Sequence, residues 1–207
     1  MAPSARPLFP LVLLALALAG ATALADVKFT STFAAPEARG VSFKGRKVAA
    51  LVISDDMSLR MSGEEALAKE LTERGIQGSA AYRQIPTEEL KKSPDAAKAW
   101  FARDAVAGVV ALRPVSQDKV KRYTPDIWAT PYYSTLWGYY PYGWTTVYVA
   151  GSAAVDTVIV VESLIFDVST GKLLWGGVSE TTNPKSLQNL VADIVKEAVK
   201  KIDKQFR

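Results

Sequence analysis

The sequence predicts a single α/β domain: a mixed sheet of parallel strands in a β-α-β-α-β run, an antiparallel hairpin, helices packed on the sheet, and an amphipathic C-terminal helix. Three observations carry this. Apolar runs of strand length alternate with helical patterns between residues 47 and 113. A Thr-Gly turn joins two long apolar stretches at 157–167 and 172–181. The last twenty residues repeat apolar side chains at helical spacing.

Val27 to Phe33 alternates like an edge strand, and Pro36 and Gly40 mark the loop after it. Lys47-Val48-Ala49-Ala50-Leu51-Val52-Ile53 is continuously apolar after its lysine, as suits a strand buried on both faces. Asp55 and Asp56 close it and read as loop caps. A helix should enter near Ser58 or Ser62, because Ser62 and Glu65 have capping-box spacing. Leu59, Ala66, Leu67 and Leu71 share one face, and Gly75 stands where a C-terminal glycine cap belongs.

Ile76 to Tyr82 is a weaker strand, and Pro86 to Glu89 opens a short helix. Ser93-Pro94-Asp95 opens a better one: serine caps, proline takes the first helical position, and aspartate favours the positive end. Its buried face is Ala97, Trp100 and Phe101, and Gly108 to Arg113 is the third parallel strand. Thr157 to Asp167 and Lys172 to Thr181 form the hairpin, with Gly171 at the left-handed position. After Pro184, Leu187, Leu190, Val191, Ile194, Ala198 and Ile202 line one face of the terminal helix, with lysines opposite.

The N-terminus has the pattern of an export signal. Arg6 precedes an apolar run, and Ala23 and Ala25 occupy the −3 and −1 positions of a cleavage site. Residues 1–25 are therefore expected to be removed, leaving 26–207 as one periplasmic domain with net charge +3. An uncleaved anchor is the competing expectation, weakened by Pro10, Gly20 and Thr22. The chain has no cysteine and no histidine. Lipidation at cysteine, Cys-His and Ser-His-Asp catalysis and the usual zinc sites are thereby excluded. The small charge excess also argues against nucleic acid.

Residues 127–155 hold no charged side chain but nine aromatic ones. Pro131, Gly138, Pro141 and Gly143 interrupt any helix or central strand there, so the insert at 127–150 reads as an exposed ribbon. Trp128, Tyr132, Tyr133, Trp137, Tyr139, Tyr140, Tyr142 and Trp144 are its candidate binding residues. Tyrosine and tryptophan suit a partner protein, a membrane interface or a sugar surface. The plainer alternative is a segment folded back on the sheet, with its aromatics as a satellite core.

The run Asp167-Val168-Ser169-Thr170-Gly171-Lys172-Leu173-Leu174-Trp175 resembles a hairpin pattern of small, mostly uncharacterised bacterial periplasmic proteins and lipoproteins that carry a domain of unknown function. Lys47 to Ile53 with the helix ending Arg74-Gly75, the connection Tyr82 to Pro86, and the Tyr/Gly/Trp-rich insert before the hairpin match it in order. The resemblance covers roughly residues 27 to 205 and implies an envelope binding module without catalytic residues. Members often carry a lipidated cysteine, which this chain lacks. More distantly, the layout is similar to lipoprotein domains of outer-membrane secretion and cell-wall synthase activation.

Glu162 shares a strand face with Val158, Val160, Leu164 and Phe166, so if buried it would have a raised pKa or a cationic partner; the default reading is a glutamate near a sheet edge, or one paired with an arginine such as Arg113. Basic groups occur at Lys91-Lys92, at Lys119-Lys121-Arg122 and along the terminal helix; solvated helix faces are the default reading, with lipid headgroups the alternative. No pair of carboxylates stands out for glycoside chemistry. The expectation is an exported, non-enzymatic envelope protein without metal or cofactor, binding a protein, a membrane surface or itself. A cell-wall or polysaccharide-binding module is the alternative.

Overall fold

The computed structural model describes residues 27–115, 127–128, 130–145 and 158–206. The expected signal at 1–25, the basic cluster at 119–122 and the end of the insert at 146–150 lie outside the described residues.

The α/β expectation holds. Strands β1 (Val27–Ala34), β2 (Lys47–Val52), β3 (Gln77–Ala80), β4 (Gly108–Val115), β5 (Val158–Asp167) and β6 (Leu173–Thr182) form one mixed sheet. Their order is β1-β6-β5-β4-β2-β3. Strand β2 pairs in parallel with β3 and with β4, whereas β4–β5, β5–β6 and β6–β1 are antiparallel. Opposite Leu112, β2 ends, so Pro114 lies where its missing N–H removes no bond to β2.

Helix α1 (Met57–Glu73) and the C-terminal helix (Leu187–Phe206) cover one face of the sheet. Val48, Ala50, Val52, Leu112 and Val161 meet Leu67, Leu71, Leu190, Val191 and Ile194 there. The opposite face carries Ala49, Leu51, Ile53, Val109, Ala111, Val160, Leu164 and Phe166. It is covered by α2 (Thr87–Lys92), by α3 (Pro94–Arg103) and by the aromatic segment.

Several local expectations are met. Ser93 caps α3, its hydroxyl accepting from the Asp95 N–H at 3.0 Å. Gly75 and Gly171 adopt φ of +77° and +67°, the left-handed region in which glycine carries no side-chain penalty. Ala97, Trp100 and Phe101 are buried. The start of α1 is a correction. Asp56 is its cap, its Oδ1 accepting from the N–H groups of Ser58 and Leu59 at 2.8 and 3.1 Å. Ser62 lies within the helix, and Glu65 instead accepts from the Tyr82 hydroxyl and Arg83 at 2.6 Å. Aspartate caps as well as serine, and the earlier cap lets the helix follow β2 directly.

Candidate functional site: an aromatic layer on the sheet

The predicted ribbon is helical. A turn, α4 (Pro131–Ser134), leads into α5 (Leu136–Thr145), and the terminal helix is α6. The residues read as breakers have other roles. Pro131 takes the first helical position, where no N–H is required. The Thr135 hydroxyl accepts from the Gly138 N–H at 3.0 Å, satisfying an orphan donor of the new helix. Pro141 sits inside α5 and forgoes one helical bond. Gly138 and Gly143 permit close approach: a Cβ on Gly138 would collide with the Pro131 carbonyl, and one on Gly143 would lie 2.8 Å from Ile53 Cδ1.

This overturns the exposed-ribbon expectation for most of the named aromatics. Trp128, Tyr133, Tyr139, Tyr140 and Trp144 are buried, Trp137 and Tyr142 are half-buried, and Tyr132 is 56% exposed. The reason is apolar area. Large rings without neighbouring charges gain more by covering the bare sheet face than by facing water. Trp128 reaches β1 and β6, its Nε1–H donating to Ser31 Oγ at 3.2 Å and its ring resting where Gly176 leaves room. Tyr133, Tyr139 and Phe166 continue the stack at centroid spacings of 5.8 Å. Trp137 meets Phe101 at 5.9 Å, and Lys98 Nζ lies 5.0 Å over its ring.

A polar hub fixes this layer to the sheet. Arg113 and Glu162 face each other across β4 and β5, as the strand alternation predicts, and both are fully buried. Arg113 Nε donates to Glu162 Oε2 at 2.8 Å, and the Tyr139 hydroxyl donates to the same oxygen at 2.7 Å. The guanidinium carbon lies 5.2 Å from the Tyr142 ring centroid. Burial first, and then the Glu162 charge, push the Tyr139 hydroxyl far above its ordinary pKa, so it stays a donor. Burial likewise raises Tyr140.

The layer also docks on the β5–β6 turn. The Leu136 N–H donates to the Gly171 carbonyl at 2.7 Å, and Thr135 bridges to Lys172. Asp167 holds that turn, accepting from Ser169 Oγ at 2.5 Å and the Thr170 N–H at 2.8 Å. Burial pulls its pKa upward, but these hydrogen bonds outweigh it and hold the carboxyl below its ordinary value.

The sequence reading missed a second buried pair. On α1, Arg60 Nε donates to Glu64 Oε1 at 2.8 Å, both side chains fully buried. Arg60 also reaches Thr87 Oγ1 at 2.5 Å and the Ile85 carbonyl at 3.2 Å. Glu64 accepts from the N–H groups of Val52 and Tyr82 at 3.2 and 2.5 Å. Burial raises the Glu64 pKa against the pull of Arg60 and these donors. Arg60 and Glu64 share a helical face with Leu67 and Leu71, and that juxtaposition was the available signal. Asp55, expected as a loop cap, pairs with Lys91, whose ammonium lies 6.0 Å over Trp144. Among the described residues, no group of His, Cys, Asp or Glu is placed to hold a metal ion.

Fold and layer together define a three-layer α/β domain, with α1 and α6 on one face of the sheet and α2, α3 and the aromatic α4–α5 layer on the other. Similar solved structures include a PelC dodecamer from Paraburkholderia phytofirmans, at 15% identity and TM-score 0.40, covering 82% of this chain and 96% of that one. Lipoprotein GNA1162 from Neisseria meningitidis is similar at 16% identity and TM-score 0.41, covering 76% of this chain and 97% of that one. No family model and no curated protein matches the chain. No helix among the described residues is long and apolar enough to cross a membrane.

Proposed function

We propose that the chain is an exported, non-catalytic envelope protein that binds a protein partner, or a second copy of itself, through the outward face of the α4–α5 layer. The exposure of Tyr132 carries this reading. It is 56% exposed and stacks on the half-buried Tyr142 at 5.1 Å. Pro131, Thr135 and Pro141 are exposed beside it, and no charged residue occurs from 127 to 145. Charge-poor surfaces with tyrosine at the centre are what protein interfaces are built from. The five buried aromatics support that face from beneath. The contact set therefore narrows to Tyr132, Tyr142 and Trp137 of the eight aromatics first named.

The non-catalytic part of the reading rests on residue chemistry. The sequence holds no histidine or cysteine, and the buried ions Arg60, Glu64, Arg113 and Glu162 are engaged in tying the sheet to its covering layers. Export rests on the signal pattern at residues 1–25. Polysaccharide is the weaker ligand, because the segment offers few hydroxyls to orient a sugar: Thr130 Oγ1 donates to the Ile127 carbonyl and Thr135 Oγ1 accepts from the Gly138 N–H, with Ser134 as the third.

The test is a photoreactive amino acid at position 132, activated in cells, with the same probe at the exposed Lys204 as control. A discrete protein adduct, or a dimer of this chain, at 132 and not at 204 supports the reading. Retention on purified cell wall or on lipid vesicles that is lost in Tyr132→Ala, without a protein adduct, would instead assign the face to sugar or membrane.

A further inference from the structure

Apart from the initiator, the chain has two methionines, Met57 and Met61, and both are exposed, at 46% and 40%. Spaced i, i+4 at the start of α1, they lie on one side of the helix. Methionine is ordinarily a core residue, and a pair left in water on a chain without cysteine is unusual.

The two sulfurs are not equivalent. Thr87 Oγ1 lies 3.9 Å from Met57 Sδ, in hydrogen-bonding geometry, and 2.5 Å from Arg60 Nη1. Arginine is purely a donor, so the Thr87 hydroxyl must accept from Arg60, and its own hydrogen is free to point at the sulfur. The buried guanidinium thus polarises the hydroxyl that donates to Met57. No comparable bond to Met61 is present among the described residues.

We infer that Met57 and Met61 are a paired surface-oxidation site for hydroperoxides, graded by Thr87 so that Met61 reacts first. A sulfur lone pair attacks one peroxide oxygen. The S–O bond forms as the O–O bond breaks, and two electrons pass from sulfur to peroxide. The departing hydroxide, or alkoxide from an organic hydroperoxide, takes the proton of the oxygen now on sulfur and leaves as water or alcohol. The product is a sulfoxide, a reversible mark that turns an apolar corner of α1 polar. At Met57, the hydrogen bond ties up sulfur electron density and slows attack, although Met57 is the more exposed residue. Once formed, the Met57 sulfoxide oxygen is a stronger acceptor for the same Thr87 hydrogen.

Trypsin separates the two sites onto Val48–Arg60 and Met61–Lys69, so mass spectrometry of a peroxide time course reads each rate in one sample. In the native protein, Met61 should react about twofold to fivefold faster than Met57. In urea, which removes the Thr87 contact, the ratio should fall to about one. Thr87→Val should bring Met57 up to the rate of Met61, and Thr87→Ser should leave the native ratio unchanged. Equal native and urea ratios would overturn the inference, as would native oxidation of both residues no faster than global unfolding. Should Thr87→Val fail to fold, the native-to-urea comparison decides alone.

Discussion

The two buried Arg–Glu pairs meet the same electrostatic problem in different surroundings. Arg113 and Glu162 face each other across two strands and are covered by aromatic rings, with a tyrosine hydroxyl as their further partner. Arg60 and Glu64 sit on one helix, and their bonds run to backbone groups at the ends of β2 and β3 and before α2. The first pair glues a side-chain layer to the sheet. The second replaces backbone hydrogen bonds that the sheet itself cannot supply. Apolar substitutes should therefore be tolerated in the first place once the Tyr139 hydroxyl is removed with them, and not in the second, where the donors are backbone.

The largest effect follows from breaking either pair. Arg113→Met and Arg60→Met should each destabilise by roughly 3–5 kcal/mol in urea titrations, because a buried carboxylate loses its arginine. Multiple variants separate the two sites. Arg113→Met with Glu162→Leu and Tyr139→Phe should recover most of the loss, since apolar groups fit among the rings and the buried Tyr139 hydroxyl is removed along with its acceptor. Arg60→Met with Glu64→Leu should recover little, because the Val52 and Tyr82 N–H groups lose their acceptor. Equal recovery at both sites would remove the distinction.

Tyr139→Phe should cost about 1.5–3 kcal/mol, the usual range for a hydrogen bond to a charged group. It probes the hub without removing a ring, so a neutral result would mean that packing alone holds the layer.

Asp167 and Glu64, shifted in opposite directions, provide a pH comparison. Asp167 titrates below its ordinary 3.8 in the folded protein, so the stability it adds is present above that value and is lost as pH falls through its folded value. Asp167→Asn should flatten the acid limb of a stability–pH curve. Glu64 is shifted the other way, so its contribution is largest below 4.5 and declines as pH rises through its raised folded value. Thermal melts between pH 2 and pH 8 measure both slopes.

The smallest effect belongs to the outward face. Tyr132→Ala should change stability by no more than about 0.5 kcal/mol, yet abolish the adduct or dimer formed by a photoreactive probe at the exposed Pro141 of the same face. A large loss of stability would make Tyr132 a structural residue.

Different parts of the molecule were legible to different degrees, for physical reasons. Strand period is two, so Glu162 could be placed on the same face as Val160 and Leu164, with an arginine such as Arg113 as one of its possible partners and a sheet edge as the other setting. The Thr-Gly turn and the Ser-Pro-Asp cap are local signals that need no tertiary context. Arg60 and Glu64 escaped notice because an i, i+4 ion pair usually marks a solvated helix face, and only the sheet beneath shows otherwise. The aromatic segment was misread because proline and glycine punctuate local structure only when burial does not repay their cost. Here Pro131 begins a turn, Gly143 lets α5 approach Ile53, and the rings cover an otherwise bare sheet.

The aromatic segment from 128 to 144 is a structural layer over the sheet. The most direct test replaces 128–144 by a Gly/Ser loop of equal length and follows circular dichroism through a thermal melt. Loss of the cooperative transition is expected, because the sheet face and the Arg113–Glu162 pair are stripped together. A variant that melts cooperatively at the wild-type temperature would contradict it and return the segment to the status of an appended ribbon.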